Sequence, residues 1–181
     1  MSALIYIIQA LSQIIVFIFL LRFWLPWFRV DFRNPIAQGI LQITSPLVNP
    51  LRRVVPAIGR IDTATLLIAF AIEAITIVLI GLLAGQQADA TFVVIYALTA
   101  LVSASARIFM FAIIIRIVIS WVAPHVHNPA TTLLHAITEP LLRPFRRLLP
   151  PIGGFDLSPI FAIILLGAIP LLLQDIIRLF M

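Results

Sequence analysis

The sequence predicts an all-α membrane protein. Four transmembrane helices form two parallel helical-hairpin repeats, each with a short interfacial helical loop. Three observations predict this. First, 62% of the 181 residues are hydrophobic and only 10% are charged, with a mean hydropathy of +1.17. A soluble domain of this size carries about twice that charge. Second, four apolar stretches, at about 3–25, 63–84, 92–121 and 157–178, are each long enough to cross a hydrocarbon core about 30 Å thick. Third, one pattern occurs twice at a constant, ungapped offset of 94 residues. It runs Arg22, Trp27, Asn34-Pro35, Thr44, Pro46-Leu47, Pro50, Arg52-Arg53, Pro56, Ile58-Gly59, Asp62, and again Arg116, Trp121, Asn128-Pro129, Thr138, Pro140-Leu141, Pro144, Arg146-Arg147, Pro150, Ile152-Gly153, Asp156. Over residues 22–62 it makes 15 identities in 41 aligned positions. Self-similarity at a fixed period marks two copies of one structural unit.

The elements follow in order. Residues 1–21 lack the basic n-region and small-x-small site of a signal peptide, and Leu4–Leu21 align with Leu98–Ile115, so they read as a permanent span. Residues 1–86 form the first repeat and 91–181 the second, joined by the short connector Gly85-Gln86-Gln87-Ala88-Asp89-Ala90. Each repeat has two spans, so both copies enter the membrane in the same direction. They are parallel repeats about an axis along the membrane normal, unlike the inverted repeats of many transporters.

Arginine placement sets the orientation. Arg29, Arg33, Arg52, Arg53 and Arg60 lie in the first motif loop; Arg143, Arg146 and Arg147 lie in the second. Basic residues favour the cytoplasmic face, so both motif loops are expected inside and both termini outside, with Arg178 weighing the other way. All twelve basic residues are arginines beside apolar spans, so the pI of about 11.3 reflects topology and not nucleic-acid binding.

Within each loop, Asn34 or Asn128 can cap a helix whose first position is Pro35 or Pro129. This predicts short helices at about 35–43 and 129–137, each ending before Thr-x-Pro. A second short amphipathic piece then sets Leu51, Val54 and Val55 against Arg52 and Arg53. Its counterpart sets Phe145, Leu148 and Leu149 against Arg146 and Arg147. Such pieces lie in the headgroup plane, where these arginines would contact anionic lipid or a partner. The prolines, Pro46, Pro50 and Pro56 with Pro140, Pro144, Pro150 and Pro151, are expected to divide each loop into rigid short segments.

Arg22 and Arg116 near the ends of spans one and three, with Asp62 and Asp156 opening spans two and four, make natural pairs within each repeat. The pairs Arg22–Asp62 and Arg116–Asp156 read as structural clamps in preference to a ligand site. Glu73 and Arg107 sit near mid-span, where a charge costs about 2.5–3.5 kcal/mol against about 0.3–0.6 returned per large apolar residue. Neither is repeated, their counterparts being Gly167 and Gln13. Two readings stand level: functional intramembrane charges, or a pair locking spans two and three.

His125, His127 and His135 cluster in the second loop, but their counterparts are Asp31, Arg33 and Leu41. With no cysteine and no carboxylate pair to complete a ligand set, no metal site is expected, and interfacial histidines are the better reading. Ser103-Ala104-Ser105-Ala106 offers a small-residue packing face, and Trp24, Trp27 and Trp121 are interfacial anchors. There is no Ser/His/Asp set, phosphate loop or paired catalytic carboxylate. No enzyme, catalytic residue or cofactor is expected.

With this doubled pattern the chain resembles the YggT family of bacterial membrane proteins, over essentially its whole length. The second copy carries the resemblance most closely, from Arg116 to Trp121 through Asn128-Pro129 and Thr138-Glu139-Pro140 to Ile152-Gly153-Gly154-Phe155-Asp156-Leu157-Ser158-Pro159. The first copy departs at Ser45 for Glu139, Arg60 for Gly154, and Ala64-Thr65 for Ser158-Pro159. The resemblance implies an inner-membrane protein linked to osmotic-shock tolerance through potassium uptake. Single-copy relatives are associated with cell division or, in plastids, with cytochrome assembly and nucleoid organisation. Two functions follow: a non-enzymatic scaffold or assembly factor, or a channel or transporter component for potassium. The scaffold ranks first, because Gln9, Ser12, Gln13, Glu73, Thr76, Ser103, Ser105 and Arg107 give only a sparse polar stripe. Expected partners are anionic membrane lipids and a second copy of the chain or another membrane protein.

Overall fold

The computed structural model describes residues 2–87, 89–123, 126–148 and 156–180, the side chains of 179 and 180 excepted. Expectations for His125, Leu149, Pro150-Pro151 and Ile152-Gly153-Gly154-Phe155 lie outside the described residues. Among the described residues six helices form in order: α1 Ser2–Trp27, α2 Pro35–Arg52, α3 Thr63–Leu83, α4 Ala90–Val122, α5 Pro129–Leu148 and α6 Ser158–Phe180. Helices α1, α3, α4 and α6 are long and apolar enough to cross a membrane, as expected of a multi-pass membrane protein. The loop helices α2 and α5 are amphipathic. On α2 the buried Ala37, Ile40, Thr44 and Val48 recur every three or four residues, with Gln38, Gln42 and Asn49 exposed.

One expectation is corrected here. The prolines do not divide the loops: α2 runs unbroken through Pro46 and Pro50, and α5 through Pro140 and Pro144. A proline inside a helix removes a hydrogen bond and crowds the carbonyl four residues back. In α2 two carbonyls ahead of Pro46 accept from side chains. The Thr44 hydroxyl donates to Ile40 O (2.6 Å) and a guanidinium nitrogen of Arg22 to Leu41 O (3.2 Å). In α5 the Thr138 hydroxyl donates in the same way to Leu134 O (2.6 Å).

The chain divides into two compact units, Met1–Trp27 with Ile40–Ser105, and Phe28–Gly39 with Ala106–Met181. In the first unit α1 packs on α3, burying Val16, Phe19 and Leu20 of α1 and Ala64 and Ala69 of α3. A Thr76–Ser12 hydrogen bond of 2.7 Å joins the two helices, and Trp24 donates to Ser105 at 3.2 Å. In the second unit Ile113 of α4, Leu142 of α5 and Ala162 of α6 form a core flanked by Ile117, Phe145, Ile163 and Leu166. Trp27 and Trp121 are exposed.

Candidate functional site: an arginine clamp in each repeat

Each loop helix starts where asparagine and proline predict. Asn34 Oδ1 accepts from the backbone N–H of Ile36 (2.9 Å), and Asn128 Oδ1 from that of Thr131 (2.9 Å), with Thr131 Oγ1 accepting in return from Asn128 N–H (3.0 Å). Asn34 also donates through Nδ2 to Pro129 O at 2.7 Å, so the first loop's cap residue touches the first turn of α5.

A transmembrane arginine then grips each loop helix. Arg22, only 3% exposed, donates to Thr44 Oγ1 (2.7 Å) and Ser45 Oγ (3.1 Å) of α2. Arg116 donates to Thr138 Oγ1 (2.9 Å) and Glu139 Oε2 (2.9 Å) of α5. Thr44 and Thr138 are fully buried. Each hydroxyl therefore accepts from an arginine and donates to its own helix, which ties the span to the loop helix through one oxygen. The repeated threonine 22 residues after each repeated arginine was the available sign of this link.

Neutralisation differs between the copies. In the first, buried Asp62 has Oδ2 at 3.6 Å from Arg22 Nε and hydrogen-bonded to Arg52. In the second, the expected direct Arg116–Asp156 pair is replaced by a chain. Arg116 pairs with Glu139 (2.9 Å), Glu139 with Arg146 (2.7 Å), and Arg146 with Asp156 (2.7 Å). Two substitutions explain the change. Glu139 stands where the first copy has Ser45, so a carboxylate already sits beside Arg116. Pro159 stands where the first copy has Thr65. Thr65 draws Asp62 inward, its hydroxyl donating to Oδ2 at 2.7 Å, whereas Pro159 has no donor and Asp156 instead caps Ser158 N–H at 2.9 Å. A tight turn with Gly59 at φ +61°, closed by mutual Ile58–Ile61 backbone hydrogen bonds of 3.0 Å, delivers Asp62.

The electrostatics follow these contacts. Burial alone would raise the Asp62 carboxyl, but hydrogen bonds from Thr65 and Arg52 hold it below the ordinary carboxylate value. Burial likewise opposes the hydrogen bonds of Arg116 and Arg146 at Glu139, and of Ser158 and Arg146 at Asp156; both carboxyls end lower than usual. Arg146, opposed by burial but held by Asp156 and Glu139, is raised. Of each Arg-Arg pair, the first member (Arg52, Arg146) turns to the carboxylates, while Arg53 and Arg147 are exposed.

The remaining expected residues lie apart from the clamps. Glu73 is half-buried on α3 in the first unit; Arg107 is exposed on α4 in the second. His127 and His135 are exposed, and partial desolvation of the imidazole, followed by the charge of Arg116, lowers the His135 pKa.

The family model described as CCB3/YggT matches the chain twice, at residues 1–83 and 95–177. The chain is 45% identical to an uncharacterized protein of Pseudomonas aeruginosa, covering 94% of this chain and 88% of that one. It is 32% identical to the uncharacterized protein YggT of Escherichia coli K12, covering 98% and 93% respectively. Over 65 residues, 34% of this chain and 24% of the other, it is 39% identical to YlmG homolog protein 2, chloroplastic, of Arabidopsis thaliana. No solved structure matches it.

Proposed function

The chain belongs to the CCB3/YggT family, and from that premise we propose that it is a non-enzymatic scaffold of the bacterial inner membrane that contributes to osmotic-stress tolerance. In this reading α2 and α5 lie in the cytoplasmic headgroup layer, and their outward arginines engage anionic lipid and a membrane partner. The observation that carries the proposal is the clamp. Arg22 and Arg116 each fix an amphipathic helix to a span while Arg53 and Arg147 stay exposed. A fixed helix of this kind presents its charges at a constant depth, where each arginine gains about 1 kcal/mol near an anionic surface.

The second reading, a potassium channel or transporter component, is favoured by the mid-span charges Glu73 and Arg107. Ion flux through the purified chain in liposomes, with and without Glu73→Gln, separates the two. The scaffold predicts no flux above empty liposomes. Potassium flux lost in Glu73→Gln would establish the channel.

A further inference from the structure

A cavity of about 1020 Å³ opens in the second unit between the last turns of α4, the inner face of α5 and the start of α6. Its wall divides by chemistry. Ile113, Ile117 and Ile160 are among the apolar residues lining one part, and Arg116, His135 and Arg146 stand in the polar part. We infer that this cavity is a binding site for an anionic phospholipid, with its phosphate at Arg116, His135 and Arg146 and an acyl chain along Ile113, Ile117 and Ile160. This deepens the scaffold reading and rests on it.

Four observations support the assignment. The volume sits at the upper end of the range for small-molecule sites. The cavity lies where a span ends and an amphipathic helix begins, so its two chemistries match the headgroup and chain of a lipid; free phosphate would leave the apolar wall unused. The polar part keeps donors in reserve. Arg116 spends its two terminal nitrogens on Thr138 and Glu139, and Arg146 spends Nε on Asp156 and one terminal nitrogen on Glu139. Among the described residues, Arg116 Nε and the second terminal nitrogen of Arg146 take no part in these bonds and can meet an anion. Finally, Arg116, Arg143, Arg146 and Arg147 oppose only Glu139 and Asp156 in this region, which leaves two net positive charges. His135 lines the same part, its pKa lowered by partial desolvation and then by the charge of Arg116, which a bound phosphate would offset. The first-repeat counterparts of Thr131, Thr132 and His135 are Ala37, Gln38 and Leu41, so this wall belongs to the second copy alone.

Native mass spectrometry of the full chain in non-ionic detergent tests the site, with phosphatidylglycerol, phosphatidylcholine of the same acyl chains, and inorganic phosphate as separate arms. The expected result is one retained phosphatidylglycerol per chain, with phosphatidylcholine and phosphate each weaker by about tenfold or more. Ile117→Trp, which fills the apolar part, and His135→Leu, which installs the first-repeat residue, should each lower retention about tenfold. Gln87→Ala, exposed in the connector and outside the cavity, should leave it unchanged. Equal retention of the two lipids would overturn the inference, as would competition by phosphate alone, a bound protein in place of lipid, or retention unmoved by His135→Leu. If Ile117→Trp fails to fold, His135→Leu still decides. Flux through liposomes would sink the scaffold reading without touching this result, and loss of lipid selectivity would sink only the site.

Discussion

Replacing Asp62 with asparagine keeps the shape of the side chain and an oxygen for Thr65, and removes only the charge. Arg22 is 3% exposed, and its Nε lies 3.6 Å from Asp62 Oδ2. At an effective dielectric near 20, a pair at that distance is worth about 4–5 kcal/mol before desolvation. Stranding a buried charge by removing its partner costs about 3–5 kcal/mol, so Asp62→Asn should destabilise the chain by about 3 kcal/mol or more. Asp156→Asn is the internal control. Its side chain is 32% exposed, and its partner Arg146 keeps Glu139, so the loss should be about 0.2–1 kcal/mol. The assay is unfolding of the purified chain in mixed micelles by titration with sodium dodecyl sulfate, followed by tryptophan fluorescence. A rescue sharpens it. Ser45 Oγ already accepts from Arg22 at 3.1 Å, so Ser45→Glu should transplant the second repeat's solution and recover at least half of the Asp62→Asn loss. Equal losses at Asp62 and Asp156, or no recovery with Ser45→Glu, would refute the reasoning.

Thr44→Val and Thr138→Val each remove a buried hydrogen bond to a guanidinium and should cost about 1.5–3 kcal/mol in the same titration, with Thr132→Val within about 0.5 kcal/mol of the parent. Asn34→Ala should cost about 1 kcal/mol as a lost helix cap; it also loses the bond to Pro129, so a larger loss than in Asn128→Ala is the outcome to measure. The carboxyls of Asp62, Glu139 and Asp156 are lower in the folded chain than in the unfolded one. The unfolded chain therefore takes up protons first. The stability these groups contribute is full above the ordinary carboxylate range and is lost as pH falls below about 4. His135 is depressed too, so it adds a loss beginning as pH drops below about 6.5, and His135→Leu should flatten the stability curve there. An unchanged slope in that variant would count against a lowered His135 pKa.

Much of this was legible in the residues. The spans followed from apolar run length, since a 30 Å core leaves little freedom over roughly 20 residues. The loop-helix starts followed from Asn-Pro because that pair satisfies the first-turn N–H groups locally. The prolines misled because their cost was weighed on an isolated helix, while the Arg22–Thr44 and Arg116–Thr138 bonds and a buried apolar face hold α2 and α5 in the packed protein. The second clamp was half legible. Arg116 and Asp156 matched the first copy, so a matching pair was expected. The departures at Glu139 and Pro159 were visible, but their joint effect appears only when side chains share a space: one brings a carboxylate to Arg116, the other removes the donor that would draw Asp156 inward.

The central claim is that both motif loops lie on one cytoplasmic face as interfacial helices. Because the chain has no cysteine, single cysteines can report it directly. Asn49→Cys on α2 and Arg143→Cys on α5 occupy equivalent, exposed positions in the two repeats. A membrane-impermeant thiol reagent should label both in inverted inner-membrane vesicles and neither in right-side-out spheroplasts. Labelling of the two positions from opposite sides, or of both only from outside, would contradict the account.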